Sequence, residues 1–244
     1  MTTTSEQIKD ALTELLIDGD LIGIDKWQAT NVHTNMYEIT NLFLKMPIGK
    51  TVEEIANQTS AQLPWSEDHF KERISGKATN PGEQYKNWPF YHHGKDDERF
   101  RTEGKFSHTY QERFWPPVKE GIRYSMGNLN DVIERLKQDP KTRQAFFAIW
   151  HPEDQSNHGN RLPCTIGYHF LIRNGKLNIT YLIRSCDAIR HFRNDIYMTQ
   201  RLAMHVAENA GDYELGEMSM WIGSFHCFES DVYAIKKQLK DVWI

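Results

Sequence analysis

The sequence has few cysteines, no long apolar run and no concentration of basic residues. Its three cysteines, Cys164, Cys186 and Cys227, form no Cys-x-x-Cys pair, which argues against a structural zinc site and fits a reducing compartment. No segment approaches the roughly 20 apolar residues of a membrane span, and the N-terminus lacks the cationic start and apolar run of a secretion signal. We therefore expect a soluble, cytoplasmic protein with no metal site and no membrane partner.

The charges are nearly balanced and spread along the chain. The 244 residues include 29 Lys and Arg against 33 Asp and Glu, for a net charge of -4. Because the basic residues form no stripe, a nucleic acid is not an expected partner, whereas a small anion held by a few arginines is compatible with the pattern. The length permits a substantial core, and we predict a single domain over residues 1–244.

Local patterns in the N-terminal half predict few regular elements. They favour an amphipathic helix over 5–17, a strand over 36–46 and a short helix over 66–75. Residues 76–127 contain clustered Gly, Pro, His and charged residues without a clean period, which is typical of surface loops. Loops of this kind often cover a site.

The patterns in the C-terminal half are clearer. A capped helix is predicted within 128–140 and a buried strand over 143–150, and Asn174-Gly175 between two apolar runs predicts a β-hairpin. The later elements are a long apolar helix over 195–211, a strand over 218–228 and an amphipathic final helix. Strands and helices mixed without a regular β-α-β repeat predict an α+β fold.

Cys164 is the first candidate for chemistry. It follows Arg161-Leu162-Pro163 at the start of a predicted strand, which is the mouth of a site rather than a core position. Arg161 and Arg184 would lower the pKa of a nearby thiol and favour a thiolate, which can add to an electron-poor carbon. The alternative is a small buried hydrophobic residue without reactivity.

Several polar residues in the C-terminal half are candidate ligands. Arg143 and the pair Arg184-Ser185 suit a phosphate, because guanidinium groups match phosphate oxygens and a hydroxyl adds a directed donor. Each of them alone is more often part of a surface ion pair. Asp195 has the alternative role of a helix N-cap, and His226 on an apolar strand has that of a hydrogen-bonded core histidine.

The order of these motifs resembles the thymidylate synthase family. The matching segments are QDPKTRQAFFAIWHPED, RLPC, NGKLNITYLIRSCD, FRNDIY and GSFHCF, within residues 129–229. The spacing from Cys164 to Arg184 and on to Asp195 matches that family without gaps. The resemblance implies a thymidylate synthase-like domain with a large mixed or antiparallel sheet packed by helices, and a homodimer formed through a sheet face.

The resemblance also implies roles for individual residues. Cys164 would add to carbon 6 of a pyrimidine nucleoside monophosphate, whose carbon 5 then attacks the one-carbon unit of 5,10-methylenetetrahydrofolate. Asp187 would contact the base through its backbone. The implied substrate ligands are Arg184, Ser185 and the partner subunit's Arg143 for the phosphate, His226 for the sugar, and in addition Asp187 and Asn194.

Asp195 stands where thymidylate synthases have an asparagine that reads uracil. The motif Phe192-Arg193-Asn194-Asp195 resembles the phage deoxycytidylate hydroxymethylases instead, for which the location would be the host cytoplasm. A carboxyl group suits cytosine, because it accepts a hydrogen bond from the amine while one shared proton bridges the ring nitrogen. The resemblance therefore implies that Asp195 selects dCMP.

The N-terminal half matches more loosely. PWSEDHF followed by NPGEQYKNW is similar to the hydroxymethylase segment that carries a catalytic glutamate. On this alignment Glu67 is the catalytic carboxylate, with Glu72 as the alternative, and Trp88 contacts folate together with Asp187. Tyr110 in SHTYQ resembles the pocket tyrosine that helps to activate the base.

Other departures from the family pattern keep alternatives open. Gln144 stands in place of a second phosphate-binding arginine, and Phe228 in place of a tyrosine that reads the sugar, so dCMP and CMP are both open. The chain stops at Trp243-Ile244 without the tail that excludes water in the family. Water is therefore the expected acceptor, which gives a hydroxymethyl product.

These features predict a homodimeric enzyme that makes 5-hydroxymethyl-dCMP from dCMP and 5,10-methylenetetrahydrofolate. The alternatives on the same fold are a C5-methyltransferase acting on dCMP or dUMP and a CMP hydroxymethylase. A catalytically silent nucleotide-binding module is an alternative from another class. A Cys/His hydrolase built on Cys164 and His226 is disfavoured, because no nucleophile-elbow motif accompanies them.

Overall fold

The structure, a computed structural model, describes residues 2–24, 34–91, 101–116, 127–156 and 161–240. Its strands are β1 (Asp20–Ile24), β2 (Thr34–Pro47), β3 (Arg101–Thr102), β4 (Lys105–Phe106), β5 (Phe146–Ala148), β6 (Thr165–Arg173), β7 (Lys176–Asp187) and β8 (Glu214–Phe228). Six of them form one sheet in the order β1-β2-β8-β7-β6-β5, and β3 pairs with β4. Strands β7 and β8 are parallel and the other neighbours are antiparallel, so the sheet is mixed and the predicted α+β class is confirmed.

The helices pack against this sheet around a continuous apolar core. They are α1 (Thr4–Asp18), α2 (Val52–Thr59), α3 (Trp65–Arg73), α4 (Tyr110–Phe114), α5 (Leu129–Gln138), α6 (Phe192–Gly211) and α7 (Val232–Lys240). Buried apolar residues from Ile8 in α1 to Ile235 in α7 form one cluster. Helix α6 is buried on several sides, which confirms the long apolar helix predicted from the sequence.

The predicted hairpin is confirmed at Asn174-Gly175. Both residues have positive φ, 53° and 75°, which a two-residue turn between twisted antiparallel strands requires. The register pairs Arg173 with Lys176 on either side of the turn. This hairpin fixes how the start of β6 lies against the end of β7.

Part of the prediction for 76–127 as surface loops is wrong. Helix α4 lies in this segment, and its Gln111 and Phe114 are buried. Its five residues are too few to display a helical period, and the helix is set instead by a capping box between Thr109 and Glu112. Strand β1 and helix α2 were also not predicted, because elements of this length carry little periodic signal.

One face of the sheet carries apolar side chains that are exposed or half-buried, which we call the apolar sheet face: Phe43, Phe146, Leu182 and Trp221. Phe43 is the cross-strand neighbour of Trp221, which in turn neighbours Leu182. Phe43 is 60% exposed and Phe146 is 44% exposed, whereas Leu42 and Leu44 on the opposite face are buried. An apolar patch of this kind on a sheet is typical of a protein interface.

Candidate active site

Most of the predicted ligands from the C-terminal half lie at the end of the sheet where strands β7 and β8 end and β6 begins. The backbone N–H of Arg184 donates to the Cys164 carbonyl at 2.8 Å, which places Cys164 beside the end of β7. Ser185 and Asp187 follow in β7, and Asp187 is in register with His226 of the parallel strand β8. The fold therefore brings Cys164 and His226, which are far apart in the sequence, to the same end of the sheet as Arg184, Ser185 and Asp187 of β7.

Arg184 holds the segment that leads to Cys164. Its Nε donates to the Pro163 carbonyl at 2.9 Å, and its Nη2 donates to the Leu162 carbonyl at 3.1 Å. The guanidinium also lies 5.5 Å from the centre of the Trp150 ring. Because a guanidinium has five N–H donors, Arg184 can position the cysteine and still bind an anion.

The Cys164 thiol lies in a partly buried environment. Burial raises the pKa of this thiol above its usual value, and the positive charges of Arg184 and Arg161 offset the effect only in part. The expectation of a lowered thiol pKa is therefore wrong in its net direction. The resting site holds a neutral thiol, which must lose its proton before it can act as a nucleophile.

Tyr110 reaches the residue after the cysteine. The Thr165 hydroxyl donates to the Tyr110 hydroxyl oxygen at 3.2 Å and lies 2.9 Å from the Tyr181 hydroxyl. Tyr181 in turn stacks on Tyr168, with 4.9 Å between ring centres. Burial raises the pKa of the Tyr110 hydroxyl, so this phenol is a neutral donor beside Cys164.

Asp195 lies inside the first turns of α6 rather than at its cap. The N-cap is His191, and the Asp195 backbone N–H donates to the His191 carbonyl, so the N-cap alternative for Asp195 is wrong. The Asp195 Oδ2 lies 4.0 Å from the Cys186 sulfur. Burial raises the pKa of the Asp195 carboxyl to about 7, and the charge of Arg73 opposes this shift. Asp195 is thus a carboxyl group that keeps its proton to near-neutral pH.

A short polar chain orients His226. Its Nδ1 lies 3.3 Å from the Ser224 hydroxyl, and that hydroxyl donates to the Glu38 carboxylate. Burial lowers the pKa of His226, so the ring is neutral at pH 7. With Ser224 donating to Glu38, the Ser224 oxygen accepts from Nδ1–H and leaves Nε2 as an acceptor. The sequence did not indicate Glu38, because its place beside His226 depends on the β2–β8 register.

Asp187 and Asn194 are engaged within the protein. The Asp187 carboxylate accepts the backbone N–H groups of Ile189 and Arg190 and forms a 2.8 Å ion pair with the Arg190 guanidinium. The Asn194 amide oxygen accepts from the Gln62 backbone and the Ser66 hydroxyl, and its nitrogen donates twice more. Because an amide has two acceptor and two donor positions, Asn194 is fully used in fastening α6 to the start of α3. These contacts do not support its predicted role as a substrate ligand.

The two candidate glutamates of α3 point to different partners. Both Glu67 oxygens accept from the Arg201 guanidinium at 2.9 and 3.0 Å, and Oε2 also accepts from the Tyr197 hydroxyl. Burial alone would raise the pKa of Glu67, but these hydrogen bonds outweigh it and lower the pKa. Glu72 accepts hydrogen bonds from the Gln111 side chain and the Glu83 backbone. None of the hydrogen bonds in the described part of the chain joins either glutamate to Cys164 or Asp195.

Among the described residues, no hydrogen bond or ring contact joins Arg143 or Trp88 to Cys164. Arg143 is exposed between α5 and β5, and its carbonyl lies 3.0 Å from His169 Nε2. The Trp88 ring stacks on His191, with 5.2 Å between ring centres and an angle of 10°. The Trp88 Nε1 is buried and has no hydrogen-bond partner among the described residues. An unpaired buried donor beside an aromatic stack is suited to a planar ligand.

The described ranges hold no group of three or more His, Cys, Asp or Glu side chains arranged to bind a metal ion. Within the same ranges, none of the helices has the length and apolar character that crossing a membrane requires. Lys26, whose amine could bind a phosphate, and the pair His92-His93 lie outside the described residues.

The chain is similar to known proteins of one family. Residues 75–242 match the family model described as thymidylate synthase. The thymidylate synthases of Listeria monocytogenes serovar 1/2a (strain EGD-e) and Listeria innocua serovar 6a are 28% and 27% identical to the chain over 145 residues. That stretch covers 59% of this chain and 45% of each relative, so the match spans just under half the length of those relatives. Because the family model covers well over half of the chain, the protein belongs to the thymidylate synthase family.

Proposed function

We propose that this protein is a deoxycytidylate hydroxymethylase that uses 5,10-methylenetetrahydrofolate and water to place a hydroxymethyl group on carbon 5 of dCMP. The observation that carries the proposal is Asp195, whose pKa burial raises to about 7. A carboxyl group that holds a proton near neutral pH can share it with the cytosine ring nitrogen and accept from the amine. A shared proton would also make carbon 6 more electrophilic.

The cluster around Cys164 supports covalent activation of the base. The Cys164 thiolate adds to carbon 6, which makes carbon 5 nucleophilic towards the one-carbon unit. Tyr110, which bonds to Thr165 next to the cysteine, lies where it can order the base. Arg184 and Ser185 bind the phosphate at the end of β7, and the partner's Arg143 completes that site. His226 presents its Nε2 acceptor to a sugar hydroxyl.

Trp88 supports binding of the folate co-substrate. Its buried, unpaired Nε1 and its stack with His191 fit a flat heteroaromatic ring with polar edges. When bound, 5,10-methylenetetrahydrofolate supplies the one-carbon unit at the oxidation level of formaldehyde. The Asp187 backbone, held in its turn by Ile189 and Arg190, is the second proposed contact.

The test of the function is product identification. The protein is incubated with 5,10-methylenetetrahydrofolate and, separately, dCMP, CMP and dUMP, and the nucleotides are analysed by mass spectrometry. We expect 5-hydroxymethyl-dCMP and free tetrahydrofolate. A methyl product together with dihydrofolate would show that the protein is a methyltransferase and that water is not the acceptor. Faster conversion of CMP than of dCMP would show that CMP is the substrate. Binding of dCMP without any product would favour the nucleotide-binding module.

The apolar sheet face is the proposed dimer interface. Replacing Phe43 with Glu places a charge on this face, and we expect the dimer to dissociate. The monomer should also lose activity, because the phosphate site then lacks the partner's Arg143. Light scattering should give twice the 28.7 kDa chain mass for the parent protein and the single mass for the variant.

A matched control is Tyr233→Glu, since Tyr233 is 78% exposed on α7, outside the apolar sheet face. This control should stay dimeric. A dimeric and active Phe43→Glu variant would contradict the proposed interface.

Glu67 is expected to affect stability more than catalysis. Its carboxylate is ionised and doubly bonded to Arg201, so Glu67→Gln breaks a half-buried ion pair and should lower stability by about 1–3 kcal/mol. We expect kcat/KM to change by less than about tenfold. Thermal denaturation and steady-state kinetics measure the two effects, and Glu53→Gln, the same change at an exposed position of α2, serves as control. A loss of kcat beyond about 10³ with unchanged stability would support the catalytic role predicted for Glu67 from the sequence.

A further inference from the structure

Arg73, the last residue of α3, is a buried arginine without a carboxylate partner among the described residues. Only 6% of the residue is exposed. No carboxylate of the described chain lies within ion-pair distance of its guanidinium, whose hydrogen bonds both go to a histidine. Arginine is rarely buried unless it is paired, because an unpaired charge is costly to remove from water. We therefore expect Arg73 to have a functional role that offsets the free-energy cost of burying its charge.

Local contacts aim the guanidinium at the candidate site. It lies 4.2 Å above the centre of the Tyr110 ring. Its Nε and Nη2 donate to His69 Nε2 at 3.2 and 3.0 Å, and the Trp115 indole donates to the Arg73 carbonyl at 2.8 Å. His69 stacks on Trp65, and burial lowers its pKa to about 4, so at neutral pH the ring is uncharged and Nε2 accepts. The cation is thus fixed against Tyr110 by an uncharged neighbour.

Arg73 is the charged group that acts on Asp195. The titratable groups that interact electrostatically with Asp195 are Arg73 of α3, Tyr110 of α4, Cys164 before β6, Tyr168 of β6, and Tyr181 and Cys186 of β7, and the sulfur of Cys186 lies 4.0 Å from the Asp195 Oδ2. Burial raises the pKa of each of these phenols and thiols, so all of them are neutral at pH 7. A carboxylate at Asp195 therefore has one positive charge near it and no negative one among these groups.

We infer that Arg73 is a positioning residue of the nucleotide site, which holds the Tyr110 ring and supplies the positive charge that favours the carboxylate form of Asp195. This role rests on the proposed function only in that Asp195 shares a proton with the base. Without the cation, the buried carboxyl would keep its proton firmly. With the cation fixed against the Tyr110 ring, Asp195 can pass the proton to the ring nitrogen as the base becomes activated.

The test is a titration of Asp195 in the ligand-free protein. Aspartate labelled with ¹³C at the side-chain carboxyl is incorporated, the Asp195 signal is assigned by its loss in Asp195→Asn, and its shift is followed with pH. In Arg73→Gln, which keeps a planar hydrogen-bonding group but no charge, the midpoint should rise by about one pH unit. Arg73→Lys keeps the charge and should stay near the parent value. Arg201→Gln, which removes an arginine paired with Glu67, should leave the midpoint unchanged.

An unchanged midpoint in Arg73→Gln overturns the inference. If that variant does not fold, His69→Phe is the second test, because it keeps a ring on Trp65 but removes the acceptor of both Arg73 hydrogen bonds. The midpoint of the Asp195 titration must then rise, by a smaller amount than expected for Arg73→Gln, and an unchanged midpoint again overturns the inference. The titration needs no substrate, so a parent protein that fails to convert dCMP would refute the proposed function and leave this result standing. In an active enzyme, the pH profile of kcat/KM for dCMP should move in the same direction as the midpoint.

Discussion

Replacing Cys164 with Ala is expected to abolish release of the carbon-5 hydrogen of dCMP, with a loss on the order of 10⁴ or more. Without the sulfur no bond forms at carbon 6, and carbon 5 of cytosine is then too weak a nucleophile to attack the one-carbon unit. Tritium release from [5-³H]dCMP in the presence of 5,10-methylenetetrahydrofolate measures the effect. Binding of dCMP should persist, because Arg184, Ser185 and Asp195 are unchanged, and equilibrium dialysis checks this.

Cys227→Ala is the matched control for the cysteine. Cys227 is fully buried in β8 and belongs to the apolar core cluster. Its removal should cost some stability but leave the rate of release within a small factor of the parent. Turnover by the Cys164→Ala variant would exclude covalent activation by this residue and would indicate a non-covalent mechanism.

Replacing Asp195 with Asn should shift the base preference from dCMP towards dUMP by a factor of up to about 10⁴ in the ratio of kcat/KM values. The neutral amide pairs with the carbonyl and ring N–H of uracil, whereas it cannot share a proton with the ring nitrogen of cytosine. Kinetics with both nucleotides measure the ratio. A ratio equal to that of the parent would mean that Asp195 does not read the base.

The same variant should be more stable than the parent above pH 7. The folded-state pKa of Asp195 is raised to about 7, so the folded protein holds this proton where the unfolded chain has released it. Stability is therefore lost as pH rises from about 4 to about 7, and the asparagine variant escapes a loss on the order of 2–4 kcal/mol. Denaturant unfolding at pH 5 and pH 8 should show a gain at pH 8 that falls to about two fifths of its size at pH 5.

Sequence reasoning located the strands and helices whose signals are strong and local. The turn at Asn174-Gly175 needs positive φ at both residues, and the apolar length of α6 exceeds what a surface helix carries. Such features depend on neighbours in the chain, so the sequence is sufficient to read them. The candidate site residues Cys164, Arg184 and Asp195 were proposed instead from the resemblance to the thymidylate synthase family.

Features that depend on helix rotation and strand register were not predictable in this way. Glu67 and Arg73 lie on the same short helix, and only packing decides that Glu67 faces Arg201 while Arg73 faces Tyr110. Glu38 meets His226 through Ser224 because of the β2–β8 register. Burial raises the pKa of Cys164, whereas the arginines near it in the sequence had suggested a lowered pKa.

The most direct test of the central claim is a paired measurement of tritium release from [5-³H]dCMP and [5-³H]dUMP by the parent protein with 5,10-methylenetetrahydrofolate. Selection of cytosine by a proton shared with Asp195 predicts that release from dCMP is faster by at least about 10². Release from dUMP at an equal or higher rate would contradict the assignment of Asp195 and the hydroxymethylase function with it.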